Sequence, residues 1–231
     1  MPRFAANLSM LFDEVPFIER FERAARAGFR EVEFLFPSAH EIGELRAVLA
    51  DNGLKLVLHN LPPGDWDAGD RGMACDPARV AEFQASVALG VAYASGLGSP
   101  NLHSMAGKVP AGVSDAALRK TCVSNLRFAA GEAGRAGVKL LIEPINHFDM
   151  PGDCLNRSAQ ALAVIDEVGS DNLCLQYNVH HMQRMEGELA ATIEKHLARI
   201  AHIQLADTPG GQHRGRSGLA RHRAHTRIID A

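Results

Sequence analysis

An apolar run that ends in a carboxylate is the feature of this sequence with the clearest chemical meaning. Leu140, Leu141 and Ile142 lead directly into Glu143, and Pro144 follows. Such a run is typical of a parallel strand that is buried on both faces, where a carboxylate has no role in surface solubility. Pairing with a neighbouring arginine or lysine would explain Glu143. The position favours a second explanation, a proton-transferring base or a metal ligand.

Other polar side chains occupy matching positions at or just after the ends of short apolar runs. They are Asn7, Glu33, His59, Asn60, His103, Asn178, His181, Gln204 and Asp207. If the runs are parallel strands, their carboxyl ends meet at one edge of the sheet. The sequence therefore predicts one polar site there, rich in acid–base groups and potential ligands for cations.

Seven such runs alternate with longer amphipathic segments that read as helices. The predicted strands are Phe4–Leu8, Glu31–Phe36, Leu54–His59, Pro100–His103, Lys139–Glu143, Leu173–Tyr177 and Ile200–Leu205. A glycine stands between helix and strand at five junctions, Gly28, Gly53, Gly98, Gly137 and Gly169, as is typical of helix ends. This order predicts parallel strands with crossover helices.

A closed barrel and an open doubly wound sheet both suit this pattern. No GxGxxG or GxxxxGK[ST] motif follows a strand, and Gly96-Leu97-Gly98 precedes one and lacks the third glycine. Dinucleotide binding and a P-loop are therefore poorly supported. We predict an α/β fold of the (β/α)8 TIM-barrel type.

The composition is that of one ordinary globular domain. The 231 residues are 46% hydrophobic and carry a net charge of −3, which indicates neither nucleic acid nor a membrane surface as partner. No apolar run reaches the roughly 18 residues of a membrane span. Four cysteines without CxxC spacing predict free thiols in a reducing compartment. Since no signal-peptide core follows Met1, we expect a cytoplasmic protein.

Residues 211–231 differ from the rest of the chain. They contain five arginines and one acid, whereas residues 1–210 carry 19 basic and 26 acidic side chains. With little apolar periodicity, they predict a disordered basic tail beyond a domain that spans residues 1–210. Their composition resembles translation in a shifted reading frame, and a natural tail is the alternative.

Several unusual strings occur at successive strand ends. They are Asn60-Leu61-Pro62-x-Gly64-Asp65-Trp66, Ala106-Gly107-Lys108, Glu143-Pro144-Ile145-Asn146, Asp149-x-Pro151-Gly152, His181-Met182-Gln183 and His202-Ile203-Gln204-Leu205-Ala206-Asp207. In this order they resemble the hydroxypyruvate isomerase family of xylose-isomerase-like TIM barrels, and the resemblance covers residues 1–210. It implies a small sugar-acid substrate, hydroxypyruvate, converted to tartronate semialdehyde by proton transfer through an enediolate.

The resemblance also implies roles for individual residues. Glu143 would be a catalytic acid–base group and a ligand of Mg²⁺ or Mn²⁺, with Asn178 and Gln204 as further ligands. The implied substrate-binding residues are Arg71, His181, Asn146 and His103. A guanidinium can hold both oxygens of a carboxylate, which suits Arg71. A solvated loop arginine and a helix-capping histidine are the structural alternatives for Arg71 and His181.

Two features depart from the family pattern. Asn178 stands where the family has aspartate, so we expect weaker metal binding because an amide supplies no charge. After Gly210 the sequence lacks the family's eighth strand and its second catalytic glutamate. We therefore expect a barrel without its last βα unit, impaired activity, and exposed sheet edges that favour a homo-oligomer. The alternatives are a 2-oxo-tetronate isomerase, a sugar 3-epimerase, and an inactive remnant that binds sugar acids or metal.

Overall fold

The computed structural model describes residues 3–206, which form a parallel sheet and the helices that cover it. The strands are β1 (Ala5–Asn7), β2 (Glu31–Phe34), β3 (Lys55–Asn60), β4 (Asn101–His103), β5 (Lys139–Ile142), β6 (Leu173–Asn178) and β7 (Ile200–Gln204). They lie in the sheet in sequence order, and each pairs with the next in parallel. All seven predicted strands are thereby confirmed, with bounds shifted by no more than two residues.

Helices connect the strands. They are α1 (Glu19–Arg26), α2 (Ile42–Asp51), α3 (Val80–Leu97), α4 (Asp115–Arg135), α5 (Ser158–Val168), α6 (Val179–Met185) and α7 (Leu189–His196). Gly98 and Gly169 end α3 and α5 with φ values of 69° and 65°, a left-handed conformation in which a Cβ is strained. At these two positions, the predicted helix–glycine–strand junction therefore ends the helix and turns the chain toward the next strand.

Side chains inside the sheet show its barrel curvature. Glu33 on β2 meets His202 and Gln204 of β7 across the interior, with Nε2 of each at 2.7 Å from the carboxylate. Outside, the buried apolar faces of α3, α4 and α5 form one core with β4, β5 and β6. This is the predicted TIM-barrel type, and it turns the carboxyl ends of the strands toward a common centre.

Three further sequence predictions concern the cysteines, membrane-spanning helices and the C-terminal segment. All four cysteines are free thiols; Cys75 and Cys122 are buried, and Cys154 and Cys174 are partly buried. Among residues 3–206, no helix combines the length and apolarity that crossing a bilayer requires. The predicted tail, the domain boundary at residue 210 and the missing eighth strand concern residues outside the described range.

Candidate active site

Glu143 lies at the centre of the strand ends, directly after β5. Its side chain is 6% exposed. Oε2 accepts a hydrogen bond of 2.8 Å from Nε2 of Gln176, whereas Oε1 has no hydrogen-bond partner among the described residues. The Nε2 atoms of His103 and His181 lie 3.8 and 3.7 Å from the carboxyl oxygens of Glu143. Among residues 3–206, no arginine or lysine is described as a partner of Glu143, so ion pairing does not explain this carboxyl group.

Burial dominates the acidity of Glu143. It raises the pKa to about 8; hydrogen bonding from Asn178 and Gln176 opposes the shift, and the nearby acidic side chains of Glu33 and Asp153 add to it. A carboxyl group with such a pKa exchanges its proton close to neutral pH, as a general acid–base group should.

Amide side chains link Glu143 to the opposite wall of the barrel. Oε1 of Gln204 accepts from Nε2 of Gln176 at 3.1 Å and from Nδ2 of Asn178 at 3.0 Å. Nε2 of Gln204 then donates to Glu33 at 2.7 Å. The predicted ligands Glu143, Asn178 and Gln204 therefore converge in one hydrogen-bonded network, which continues to a second buried carboxylate.

Asn178 uses both ends of its side-chain amide in hydrogen bonds at the start of α6. Its Oδ1 accepts from the backbone N–H groups of His180 and His181, at 3.0 and 3.4 Å, and so caps the helix. Backbone N–H groups only donate, so the oxygen of the amide must face them. The NH₂ group of Asn178 is consequently the end that donates to Gln204. The same group faces the carboxyl group of Glu143.

Two histidines flank the carboxylate of Glu143. His103, at the end of β4, is 1% exposed, and burial, followed by the proximity of His202 and His181, lowers its pKa to about 3. Burial likewise lowers the pKa of His181, to about 4. Both rings are neutral at physiological pH, so each offers one N–H donor to an oxygen in the site.

Asn146 and Asp149 join the loop after β5 to α6. Nδ2 of Asn146 lies 2.6 Å from Nδ1 of His181 and 2.8 Å from Oδ2 of Asp149. Potential ligand atoms of Asp149, His180 and His181 lie within 4.8 Å of one another. The carboxylate of Asp149, however, already pairs with Arg184 and with His180, so hydrogen bonding and ion pairing account for this group without a metal.

Arg71 lies in the loop between β3 and α3, and its described contacts are within that loop. Its guanidinium stacks over the Trp66 ring at 3.7 Å from the centroid. One terminal nitrogen donates to the backbone carbonyls of Trp66 and Asp70, at 2.9 and 2.5 Å. The stacked, partly buried guanidinium is thus held in a fixed orientation, unlike a freely solvated loop arginine.

The loops that follow β3, β4 and β5 are joined to each other. Single antiparallel bridges connect Gly72 with Ala106 and Lys108 with Asp153. Gly72 has a φ of 107°, and a Cβ there would lie 2.4 Å from the carbonyl oxygen of Met105. This close approach requires glycine, so the rim of the site depends on the glycine-rich segment that the sequence places after β3.

Sequence reasoning missed three buried groups of the site, Gln176, His202 and Asp153. Burial raises the pKa of Asp153 to about 8, and its Oδ2 has no partner among residues 3–206. Gln176 and His202 each precede a predicted ligand by two positions. Since side chains on a strand alternate between its faces, that spacing alone identifies them as facing the barrel interior.

Comparison with known proteins shows the family to which this chain belongs. The model of the family described as xylose isomerase-like TIM barrel matches residues 21–227. The chain belongs to the xylose isomerase-like TIM-barrel family. Within it, the chain is 52% identical to the hydroxypyruvate isomerase of Escherichia coli K12 over 218 residues, which cover 94% of this chain and 83% of that protein.

Two further proteins are similar to this chain. The chain is 48% identical to the 2-oxo-tetronate isomerase of Cupriavidus necator, covering 90% of this chain and 80% of the relative. A crystal structure described as AP endonuclease, family 2, from Brucella melitensis superimposes with a TM-score of 0.88 at 39% identity, covering 95% of this chain and 86% of the other. The family resemblance inferred from the strand-end motifs is therefore confirmed.

Proposed function

We propose that this chain isomerises hydroxypyruvate to tartronate semialdehyde by moving a proton between neighbouring carbons. The observation that carries the proposal is Glu143, a buried carboxylate with one oxygen unpartnered among residues 3–206, flanked by two imidazoles. A carboxylate placed in this way can remove a proton from one carbon and return it to the next, while a second proton passes from the hydroxyl oxygen, which becomes the new carbonyl, to the former carbonyl oxygen. The hydroxypyruvate isomerase of E. coli, 52% identical, supports this substrate.

The surrounding residues have matching roles in this proposal. The N–H groups of His103 and His181 hydrogen-bond the oxygens that become negatively charged in the enediolate. Arg71 binds the substrate carboxylate with two parallel hydrogen bonds, which its planar guanidinium allows. The excess of acids over bases in residues 1–210 disfavours a nucleic-acid backbone as the alternative ligand.

We propose Mg²⁺ or Mn²⁺ as cofactor, and the oxygen donors fit such an ion in part. Oε1 of Glu143 is buried and unpartnered within the described part of the chain. Oε1 of Gln204 shares the donor Gln176 with Glu143 and also accepts from Asn178. Asn178 can add its oxygen only if its amide rotates and gives up the cap on α6. A bound divalent ion would stabilise negative charge on the enediolate oxygens.

The experiment is an isomerase assay with the purified chain at saturating Mn²⁺. We expect conversion of hydroxypyruvate that falls at least about 10²-fold in Glu143→Gln, because the amide keeps the shape of the side chain but cannot carry the proton. Glu44→Gln on α2, an exposed partner of His40, is the matched control and should retain the rate. Equal rates for all three proteins would refute the proposal.

The 2-oxo-tetronate isomerase relatives favour a second candidate substrate, one carbon longer. The ratio of kcat/KM for the two acids decides between them. No turnover of either, with retained binding, would instead favour the non-catalytic alternative. Self-association and a cytoplasmic location stay predictions from the sequence.

A further inference from the structure

The hydrogen bonds of Asn146 define which end of its amide is which. Asn146 is fully buried, and its Oδ1 accepts from the backbone N–H groups of Phe148 and Asp149, at 3.1 and 2.9 Å. Because a backbone N–H only donates, the atom that faces these two groups must be the oxygen. The amide of Asn146 therefore has a single orientation.

This orientation decides the proton position on the neighbouring histidine. The NH₂ group of Asn146 faces Oδ2 of Asp149 at 2.8 Å and Nδ1 of His181 at 2.6 Å. An NH₂ group only donates, so Nδ1 of His181 must present a lone pair. A charged ring would carry a proton on Nδ1 and is excluded by the same contact. The proton of His181 therefore lies on Nε2.

Nε2 of His181 is the ring nitrogen that faces the site. It lies 3.7 Å from Oε1 of Glu143, the oxygen without a partner among residues 3–206. We infer that Asn146 is a positioning residue, which holds His181 in the Nε2–H tautomer and so presents a hydrogen-bond donor to the substrate oxygen beside Glu143. The substrate part of this inference rests on the proposed function.

Asn146 itself has no bonding capacity left for a substrate. Its oxygen accepts two hydrogen bonds and its nitrogen donates two, all within the protein. The sequence interpretation of Asn146 as a substrate-binding residue is replaced by an indirect role through His181. The ion pair between Asp149 and Arg184 of α6 fixes the other end of the same loop, which keeps the amide against the ring.

The test is ¹⁵N NMR of protein labelled at histidine, because the nitrogen shifts and the couplings to ring protons distinguish the two neutral tautomers and the charged ring. The signal of His181 is assigned by its loss in His181→Gln. We expect the Nε2–H form in the unmodified chain. In Asn146→Asp, the new carboxylate still accepts from the loop N–H groups but turns lone pairs toward Nδ1, so the ring proton should move from Nε2 to Nδ1.

Asn172→Asp is the matched control. Asn172 also donates from its amide to two acceptors, the carbonyls of Ala130 and Val138, but it precedes β6 at the opposite end of the barrel. The state of His181 should not change in this variant. In the assay, Asn146→Asp should lower kcat for hydroxypyruvate by about 10²-fold, the size expected for loss of a positioned donor.

The outcomes separate this inference from the proposed function. An Nδ1–H or charged His181 in the unmodified chain overturns the inference without any variant having to fold. An Nε2–H ring that persists in Asn146→Asp, or that is also lost in Asn172→Asp, overturns it as well. A chain with the Nε2–H form that does not isomerise hydroxypyruvate would refute the proposed function while supporting the tautomer assignment.

Discussion

Asp153 makes a quantitative prediction about stability and pH. Burial raises its pKa from 3.8 to about 8 in the folded protein. Between those values the unfolded chain loses the proton and the folded chain keeps it, so the stability that Asp153 contributes falls as pH rises. Each pH unit in this window is worth about 1.4 kcal/mol. An asparagine side chain at this position would resemble the protonated carboxyl. Its amide oxygen would still accept from the N–H of Leu155, a contact of 2.9 Å in the unmodified chain.

The test is therefore the substitution Asp153→Asn. The free energy of unfolding is measured by urea unfolding in the presence of a chelator. From pH 5 to pH 7, the free energy of unfolding of the variant should gain about 2 to 3 kcal/mol relative to the unmodified chain. Asp51→Asn, at an exposed position on α2, controls for the exchange of a carboxylate for an amide. The free energies of unfolding of Asp153→Asn and the unmodified chain could instead differ by the same amount from pH 5 to pH 7. That result would refute the assignment of a buried, protonated Asp153.

Two further predictions concern ligands. Asn178→Asp should tighten Mn²⁺ binding by about tenfold or more, because one carboxylate oxygen can cap α6 while the other ligates; Glu143→Ala should abolish binding. Equal affinities of all three proteins in titration calorimetry would show that the strand ends do not form a metal site. Arg71→Lys should weaken hydroxypyruvate binding by about tenfold, since an ammonium lacks the two-pronged geometry, whereas Arg46→Lys on α2 should not. Unchanged binding in Arg71→Lys would remove Arg71 from the site.

The fold was predictable because the apolar runs, the polar residues at their ends and the glycines between them all indicate the same order of strands and helices. Apolar runs with carboxylates and amides at their ends predict parallel strands, and glycines such as Gly98 and Gly169 predict where the helices stop. The strand-end positions also predict which residues share an edge, so the convergence of Glu143, Asn178 and Gln204 follows from topology alone.

The hydrogen-bond directions within the site were not predictable in the same way. That Asn178 turns its NH₂ group to Gln204 depends on the backbone of α6, and that Asn146 is saturated depends on the turn at Phe148. Each of these depends on the position of a backbone N–H group that the residue types do not specify. The burial of Asp153 depends similarly on a bridge to Lys108 in a different loop.

The contacts of Glu33 bear on how the chain folds. Its hydrogen bonds to His202 and Gln204 join positions 169 and 171 residues apart. Contacts of such separation require the closure of a loop that contains most of the chain, which makes them slow to form and late in folding. An intermediate that contained only the first strands would expose Glu33 to water, where its charge is tolerated. Its burial against β7 would therefore be one of the last events of folding.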